Sequence, residues 1–203
     1  MRVTIFDYGA GNLHSLAKAL ATPGVDLRVE SDARRATETD VLVLPGVGSF
    51  TQAATRLGGG GREAMRGAML GGLPTLGVCL GMQLLFDGSD EGPGRGLGVV
   101  PGRVTRLVAR RVPQIGWNTV DDARDPLFDA APLRVAYYAN SFACRPATDD
   151  GVIAWSRHEG DRFAAGVRAS EHGNIVGVQF HPEKSSVAGV RFIKAFLAEA
   201  GRA

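Results

Sequence analysis

The sequence predicts an α/β fold: one domain over residues 1–203, an open and mostly parallel sheet with helices on both faces, extended by antiparallel strands. Three observations carry that expectation. Short apolar runs alternate with helix-compatible stretches through the first half of the chain, the order that a parallel sheet with crossover helices requires. From Leu97 to about Val178 strand-like runs follow one another with few helical patterns between them, so this half adds antiparallel strands. Finally, 44% of the 203 residues are hydrophobic and 22% charged, an ordinary globular mix that supplies enough apolar side chain to offset the entropy of ordering one core.

Taken in order, Arg2 to Phe6, Asp40 to Leu44 and Pro74 to Val78 are β-branched or apolar runs closed by glycine-containing turns, as expected of strands covered on both faces. Leu13, Leu16, Ala17 and Leu20 recur at helical spacing, and Arg62 to Leu70 and Leu80 to Phe86 are helix-compatible. The run Gly58 to Gly61 reads as a flexible loop. In the second half, Gly102 to Val108, Leu133 to Tyr138, Val152 to Ser156, Phe163 to Ala169 and Asn174 to Phe180 read as strands. Val187 to Ala200 places Val190, Ile193, Phe196 and Leu197 on one face and predicts a closing amphipathic helix.

Composition excludes several function classes. With 23 Lys and Arg against 21 Asp and Glu, the formal net charge of +2 is too small to draw the chain to nucleic acid or anionic lipid. Two cysteines, Cys79 and Cys144, make neither a disulfide framework nor a structural zinc site, which points to a reducing compartment. The apolar stretch Val3 to Phe6 falls short of the roughly 7 to 15 residues of a signal peptide, so a cytoplasmic location is expected. Gly67 to Phe86 is uncharged and nominally long enough to span a bilayer, but Gly71, Gly72 and Pro74 interrupt it. Arg103, Arg106, Arg110 and Arg111 read as a solvated strand edge, and Cys144 as structural. The segment Gly9-Ala-Gly11-Asn-Leu-His14 has histidine where a dinucleotide fingerprint needs its third glycine, which argues against nicotinamide binding. No metal site or cofactor is expected.

Two segments carry chemistry. Gly77-Val78-Cys79-Leu80-Gly81 lies between a buried strand and a helix, the thiol counterpart of a Gly-x-Ser-x-Gly nucleophile elbow. Glycines two positions either side of the cysteine remove Cβ atoms that would collide in so sharp a turn. The helix start directs N–H groups and partial positive charge at the sulfur, and the Leu80 N–H is placed as an oxyanion donor. The alternative for Cys79 is a small buried hydrophobe. A thiol nucleophile needs a base, and His181 ends the apolar run Ile175 to Phe180, at the carboxyl end of a strand where open sheets place their sites. Glu183, two residues on along an extended chain, is positioned to accept the ring N–H and fix the tautomer. The alternative is a surface His-Pro-Glu turn. A zinc deaminase also uses His-x-Glu but needs Pro-Cys-x-x-Cys, which is absent.

Together, Gly77-Val-Cys79-Leu-Gly81-Met-Gln83 and, about a hundred residues later, Gln179-Phe-His181-Pro-Glu183-Lys-Ser185 resemble the class I, triad-type glutamine amidotransferases. Asp7-Tyr-Gly-Ala-Gly-Asn12-Leu-His-Ser15, Leu44-Pro-Gly-Val-Gly-Ser-Phe50 and Val112-Pro-Gln-Ile-Gly-Trp-Asn118 are similar to the glutaminase subunits of imidazole glycerol phosphate synthase, over essentially the whole chain. The resemblance implies a flavodoxin-like fold and a triad of Cys79, His181 and Glu183. It also implies oxyanion donors around Gly46, Val47 and Gly48, and a glutamine pocket that includes Gln83. Tyr137-Tyr-Ala-Asn-Ser-Phe142 matches the family's corresponding segment loosely and brings Asn140 and Ser141 toward the substrate. The implied partner is a (β/α)8-barrel cyclase subunit forming a heterodimer, with Asn12, Trp117, Tyr138 and Lys184 as contact candidates. The glutaminase of pyridoxal-phosphate synthase differs at Pro45-Gly46-Val47-Gly48, where it has a Gly-Gly-Glu-Ser type segment. A non-catalytic scaffold and a free-standing γ-glutamyl hydrolase are the other readings.

Overall fold

The computed structural model describes residues 1–9 and 13–202. In chain order it contains β1 (Arg2–Phe6), α1 (His14–Leu20), β2 (Asp26–Glu30), β3 (Val41–Leu44), α2 (Phe50–Leu70), β4 (Thr75–Val78), α3 (Leu80–Gln83), β5 (Gly88–Ser89) and β6 (Gly102–Arg106). There follow β7 (Gln114–Thr119), α4 (Pro126–Ala130), β8 (Val135–Asn140), β9 (Phe142–Pro146), β10 (Val152–His158), β11 (Asp161–Ala169), β12 (Ile175–Val178) and α5 (Ser186–Ala200). Seven strands form the central sheet in the order β10-β11-β12-β4-β3-β1-β2. From β12 to β2 all neighbours are parallel, and β10 and β11 extend the sheet antiparallel. This is the expected α/β architecture.

Strand periodicity explains the two layers. Alternate residues of a strand face opposite sides, and Val3, Ile5, Val41, Val43, Leu76, Val78, Val176 and Val178 enter one core with α1, α4 and α5. Phe6, Leu42, Leu44 and Ile175 enter the other, with Phe50, Met65 and Met69 of α2 and Met82 of α3. Each central strand is therefore buried on both faces and mostly apolar, which is why the sequence reveals β1, β3 and β4 directly. The edge strand β2, Asp-Leu-Arg-Val-Glu, is half exposed and pairs Asp26 with Arg28 across its own surface, so its charges conceal it.

Four expectations are corrected. Gly58 to Gly61 is no loop: it lies within α2, whose axis breaks at Gly58 (φ 58, ψ 170), a conformation glycine adopts without a Cβ penalty. The helix after the elbow is a single turn, Leu80–Gln83, rather than a run to Phe86. Gln114–Thr119 and Phe142–Pro146 are strands that the apolar pattern did not show; they pair with β8 and β6 in two small antiparallel layers. The arginines are not a strand edge: β6, bearing Arg103 and Arg106, is the middle strand of the β5-β6-β9 sheet. Arg103 is bonded to Asp90, and Arg111, beyond the strand, to Glu159. The uncharged stretch from Gly67 to Phe86 divides into the end of α2, β4, α3 and a following turn, and among the described residues no helix is long and apolar enough to cross a membrane.

Candidate active site

The carboxyl ends of β4 and β12 converge. These strands run parallel with Val78 opposite Val178, and the Cys79 N–H donates to the Val178 carbonyl at 2.7 Å. Cys79 is the turn residue itself, at φ 46 and ψ −103, a backbone conformation that costs a residue with a side chain of order 1–3 kcal/mol and persists only where its surroundings enforce it. The flanking glycines enforce it by proximity. A Cβ on Gly77 would lie 2.8 Å from the Gly81 carbonyl group, and one on Gly81 would lie 2.0 Å from the Leu44 oxygen. Bringing α3 this close to β3 and β4 is what holds the elbow shut.

His181 leaves β12 three residues after its last strand position, and its backbone is clamped. Its N–H donates to the Tyr137 carbonyl at 2.8 Å, its carbonyl accepts from Ser185 Oγ at 2.7 Å, and the same Oγ accepts from the Tyr137 N–H at 2.9 Å. The side chain of Glu183 returns to His181 Nδ1 at 2.8 Å, both groups being almost wholly buried. The pairing is as expected, but the backbone reason differs. Residues Pro182–Lys184 form a 3-10 turn rather than extended chain, with Pro182 fixing its first position.

Gly46 sits where the side chains of Cys79 and His181 come together. A Cβ there would lie 2.8 Å from His181 Cε1 and 2.9 Å from Cys79 Cβ, so nucleophile, base and the turn after β3 meet at one point. Burial by itself disfavours a charged imidazole. The charge and hydrogen bond of Cys79, and then the hydrogen bond and charge of Glu183, outweigh it and raise His181 to about 10. The carboxylate fixes the Nδ1 side of the ring, which leaves Nε2 for proton exchange with the sulfur. Cys79 itself retains 6% of its surface, buried yet not sealed.

The surrounding polar groups form a chain. Gln83, 5% exposed, donates from Nε2 to the Phe142 carbonyl at 3.1 Å and to Gln179 Oε1 at 3.4 Å. Asn140 Nδ2 donates to the same Phe142 carbonyl at 3.0 Å. Asn140 pairs with Gln114 across β7 and β8, and Asn140 Oδ1 and both amide atoms of Gln114 are buried without hydrogen-bond partners among the described residues, leaving hydrogen-bonding capacity unspent. Ser141 follows directly and accepts the Leu107 N–H through its carbonyl. Leu80 opens α3 beside the sulfur, and Val47 and Gly48 continue the turn from Gly46, Gly48 at φ 96.

The contact candidates separate. Lys184 is exposed beside the triad, and Trp117 is 56% exposed on β7, edge-on to Tyr137. Tyr138 is a correction: it has no exposed surface and packs edge-on against Phe163 and Phe180 in the core, because strand alternation turns it inward from Tyr137. Asn12 lies outside the described residues. Among those residues, no group of three or more His, Cys, Asp or Glu side chains is arranged to hold a metal ion.

Two residues within the recognised segments received no role from sequence. Ser185 clamps His181, and Gln179, with no exposed surface, donates from Nε2 to Cys79 Sγ at 3.6 Å. In sequence Gln179 is visible only as a polar side chain at the end of an apolar run; its contact with Cys79 shows only once β4 and β12 are seen to be neighbours.

Comparison with known proteins points to one family. Residues 4–200 match the family described as glutamine amidotransferase class-I. A protein of Leifsonia xyli subsp. xyli named imidazole glycerol phosphate synthase subunit HisH is 41% identical over 206 residues, covering 96% of this chain and 97% of the relative. A Thermus thermophilus protein of the same name is 44% identical over 197 residues, covering 95% of each. Among solved structures, PurLQS from Thermotoga maritima aligns with a TM-score of 0.78 at 18% identity over 98% of each chain. The glutaminase domain of Trypanosoma brucei CTPS with bound acivicin aligns with a TM-score of 0.73 at 17% identity, covering 99% of this chain and 93% of that one. These two likenesses establish a shared fold.

Proposed function

The chain belongs to the class-I glutamine amidotransferases and, among them, to the imidazole glycerol phosphate synthase HisH subunits, and from that premise we propose that Cys79, His181 and Glu183 are its glutaminase triad. The observation that carries the assignment is the convergence at Gly46 of the strained Cys79 with an imidazole whose far nitrogen is held by Glu183 at 2.8 Å.

The reaction follows from the placement. The Cys79 sulfur adds to the γ-carboxamide carbon of glutamine, and negative charge develops on the former carbonyl oxygen. The Leu80 N–H and the turn Gly46, Val47 and Gly48 supply the donors for that oxygen, where losing a single donor typically costs about 2.7–4 kcal/mol of barrier. His181 gives its proton to the departing nitrogen, so ammonia leaves and a γ-glutamyl thioester remains. Water, deprotonated by the same ring, then cleaves the thioester, releasing glutamate and restoring the thiol. Glu183 keeps the ring oriented and offsets its charge in both steps. Gln83, Asn140 and Ser141 hold the amino-acid end of the substrate; the unspent amide atoms of Asn140 and Gln114 support this reading.

The ammonia passes to a (β/α)8-barrel cyclase subunit, which uses it to form imidazole glycerol phosphate and an aminoimidazole carboxamide ribonucleotide in histidine biosynthesis in the cytoplasm. The outer face of the β7–β8 hairpin suits such a partner: Ile115, Trp117 and Val135 are 68%, 56% and 46% exposed and project from it together, an apolar patch of the kind that marks an interface. Lys184 adds a cation beside the triad. The whole chain, residues 1–203, acts as one amidotransferase domain.

Cys79→Ala tests the assignment. In complex with the cyclase, glutamine-dependent product formation should fall by at least about a thousandfold, while ammonium salts still support the cyclase reaction. Glutamate release that survives the substitution would reject Cys79 as nucleophile.

A further inference from the structure

The register of β4 and β12 sets Val78 against Val178, so the next residues, Cys79 and Gln179, emerge side by side from the sheet. Gln179 has no exposed surface, and burying an amide is unfavourable unless each of its groups finds a partner. Here each does. Nε2 donates to Cys79 Sγ at 3.6 Å, and Oε1 accepts from Gln83 Nε2 at 3.4 Å and from the Cys144 thiol at 3.8 Å.

The orientation of this amide is dictated from the far end of the chain of bonds. The Phe142 carbonyl can only accept, so Gln83 must turn its NH2 toward it. That NH2 also faces Gln179, which must therefore present its oxygen. With the oxygen committed, and the Cys144 thiol donating to it as well, the only group left to face Cys79 is the Gln179 NH2. A donor aimed at the sulfur suits a thiolate, the state a nucleophile needs. The sulfur is thus bonded to this amide, on a residue already held at φ 46 and with the His181 ring meeting its side chain at Gly46.

We propose that Gln179 is a positioning residue for the glutaminase reaction: its amide N–H holds the Cys79 sulfur in the direction of attack, and Gln83, anchored on the Phe142 carbonyl, fixes which way that amide faces. The inference rests on the glutaminase reading above. It predicts an effect on turnover rather than on substrate affinity, because Gln179 acts through the sulfur.

Gln179→Met keeps the length and fills the space without a donor, and Gln179→Glu keeps the shape while placing an acceptor opposite the sulfur. In the complex with the cyclase, each variant should lower kcat for glutamine about ten- to a hundredfold, the value of a hydrogen bond to a charged group expressed as a rate. KM should stay within about twofold, and ammonium-dependent activity should be unchanged. Unaltered kcat in either variant, or a loss carried by KM, would overturn the proposal. Loss of glutamine- and ammonium-dependent activity together in both variants would also overturn it, as the mark of a merely structural residue. Failure of the glutaminase reading would look different, since the wild-type complex itself would then release no glutamate.

Discussion

The two cysteines form a natural comparison, because they share nearly everything except reactivity. Both are buried, and both touch the same side chain, Cys79 at the nitrogen of the Gln179 amide and Cys144 at its oxygen. Cys144 sits within the regular strand β9. Burial first, and then the negative charge of Cys79, push its thiol well above the ordinary value, with Arg145 opposing weakly. Cys79 sits at a strained elbow with an imidazole held against it. A buried thiol is inert by default; what distinguishes Cys79 is backbone geometry and a paired base, both imposed by neighbours.

The sharpest way to break that difference is to separate sulfur from ring while leaving both in place. Gly46→Ala puts a methyl group 2.8 Å from His181 Cε1 and 2.9 Å from Cys79 Cβ, so one of the two must move, and the oxyanion turn with them. A displacement of about 1 Å in a catalytic arrangement costs around a hundredfold. Steady-state glutamine turnover by the variant complex should show that loss, with ammonium-dependent activity retained as evidence that fold and docking survive. Turnover close to wild type would mean that the approach at Gly46 does not matter to the chemistry.

How much of this arrangement could be read from sequence depends on which force sets each part. The central strands and the elbow announce themselves because burial on two faces and close backbone approach each demand particular residue types in sequence, as in Val41–Leu44 and at Gly77 and Gly81. The edge strand β2 and the glycine-rich middle of α2 do not, since charged residues suit an edge and a helix with a break tolerates glycine. The inward turn of Tyr138 follows from the register of β8, which the neighbouring aromatic residue Tyr137 masks. The Cys79 and His181 pairing was legible through two recognisable segments. The Gln179 chain was not, because it depends on which strands are neighbours in space, and β4 and β12 lie about a hundred residues apart.

A second test exploits the base that only Cys79 possesses. His181 is raised to about 10 in the fold, against about 6.5 in the unfolded chain. Burial opposes that rise and the charge of Cys79 leads it; the proton that the thiol gives up in the fold stays on the unfolded chain up to about pH 8.5, so below that value the pair holds no more protons folded than unfolded. From about pH 8.5 towards 10 the folded pair retains a proton that the unfolded chain has lost, so stability falls as pH rises. Urea unfolding at a series of pH values should show this decline. In His181→Asn the decline above about pH 8.5 should flatten, and its persistence there would assign the slope to other groups.

The smallest expected effect belongs to the thiol that lacks a base. Cys144→Ala should cost roughly 1 kcal/mol at neutral pH, the loss of a buried sulfur and its weak bond to Gln179, and should leave glutamine turnover unchanged because Gln83 still fixes the Gln179 amide. Its signature lies at alkaline pH. The thiol stays protonated in the fold but ionises in the unfolded chain near about pH 8.5, so its contribution to stability is complete below that value and fades above it, in the same direction as that of the His181 pair. Removing Cys144 should therefore flatten part of the decline above about pH 8.5 with turnover intact, whereas removing His181 flattens it only with loss of turnover. If Cys144→Ala instead lowered turnover as much as the Gln179 variants, the Gln179 amide would be oriented from the Cys144 side rather than by Gln83, and the two thiols would be joined as parts of one device.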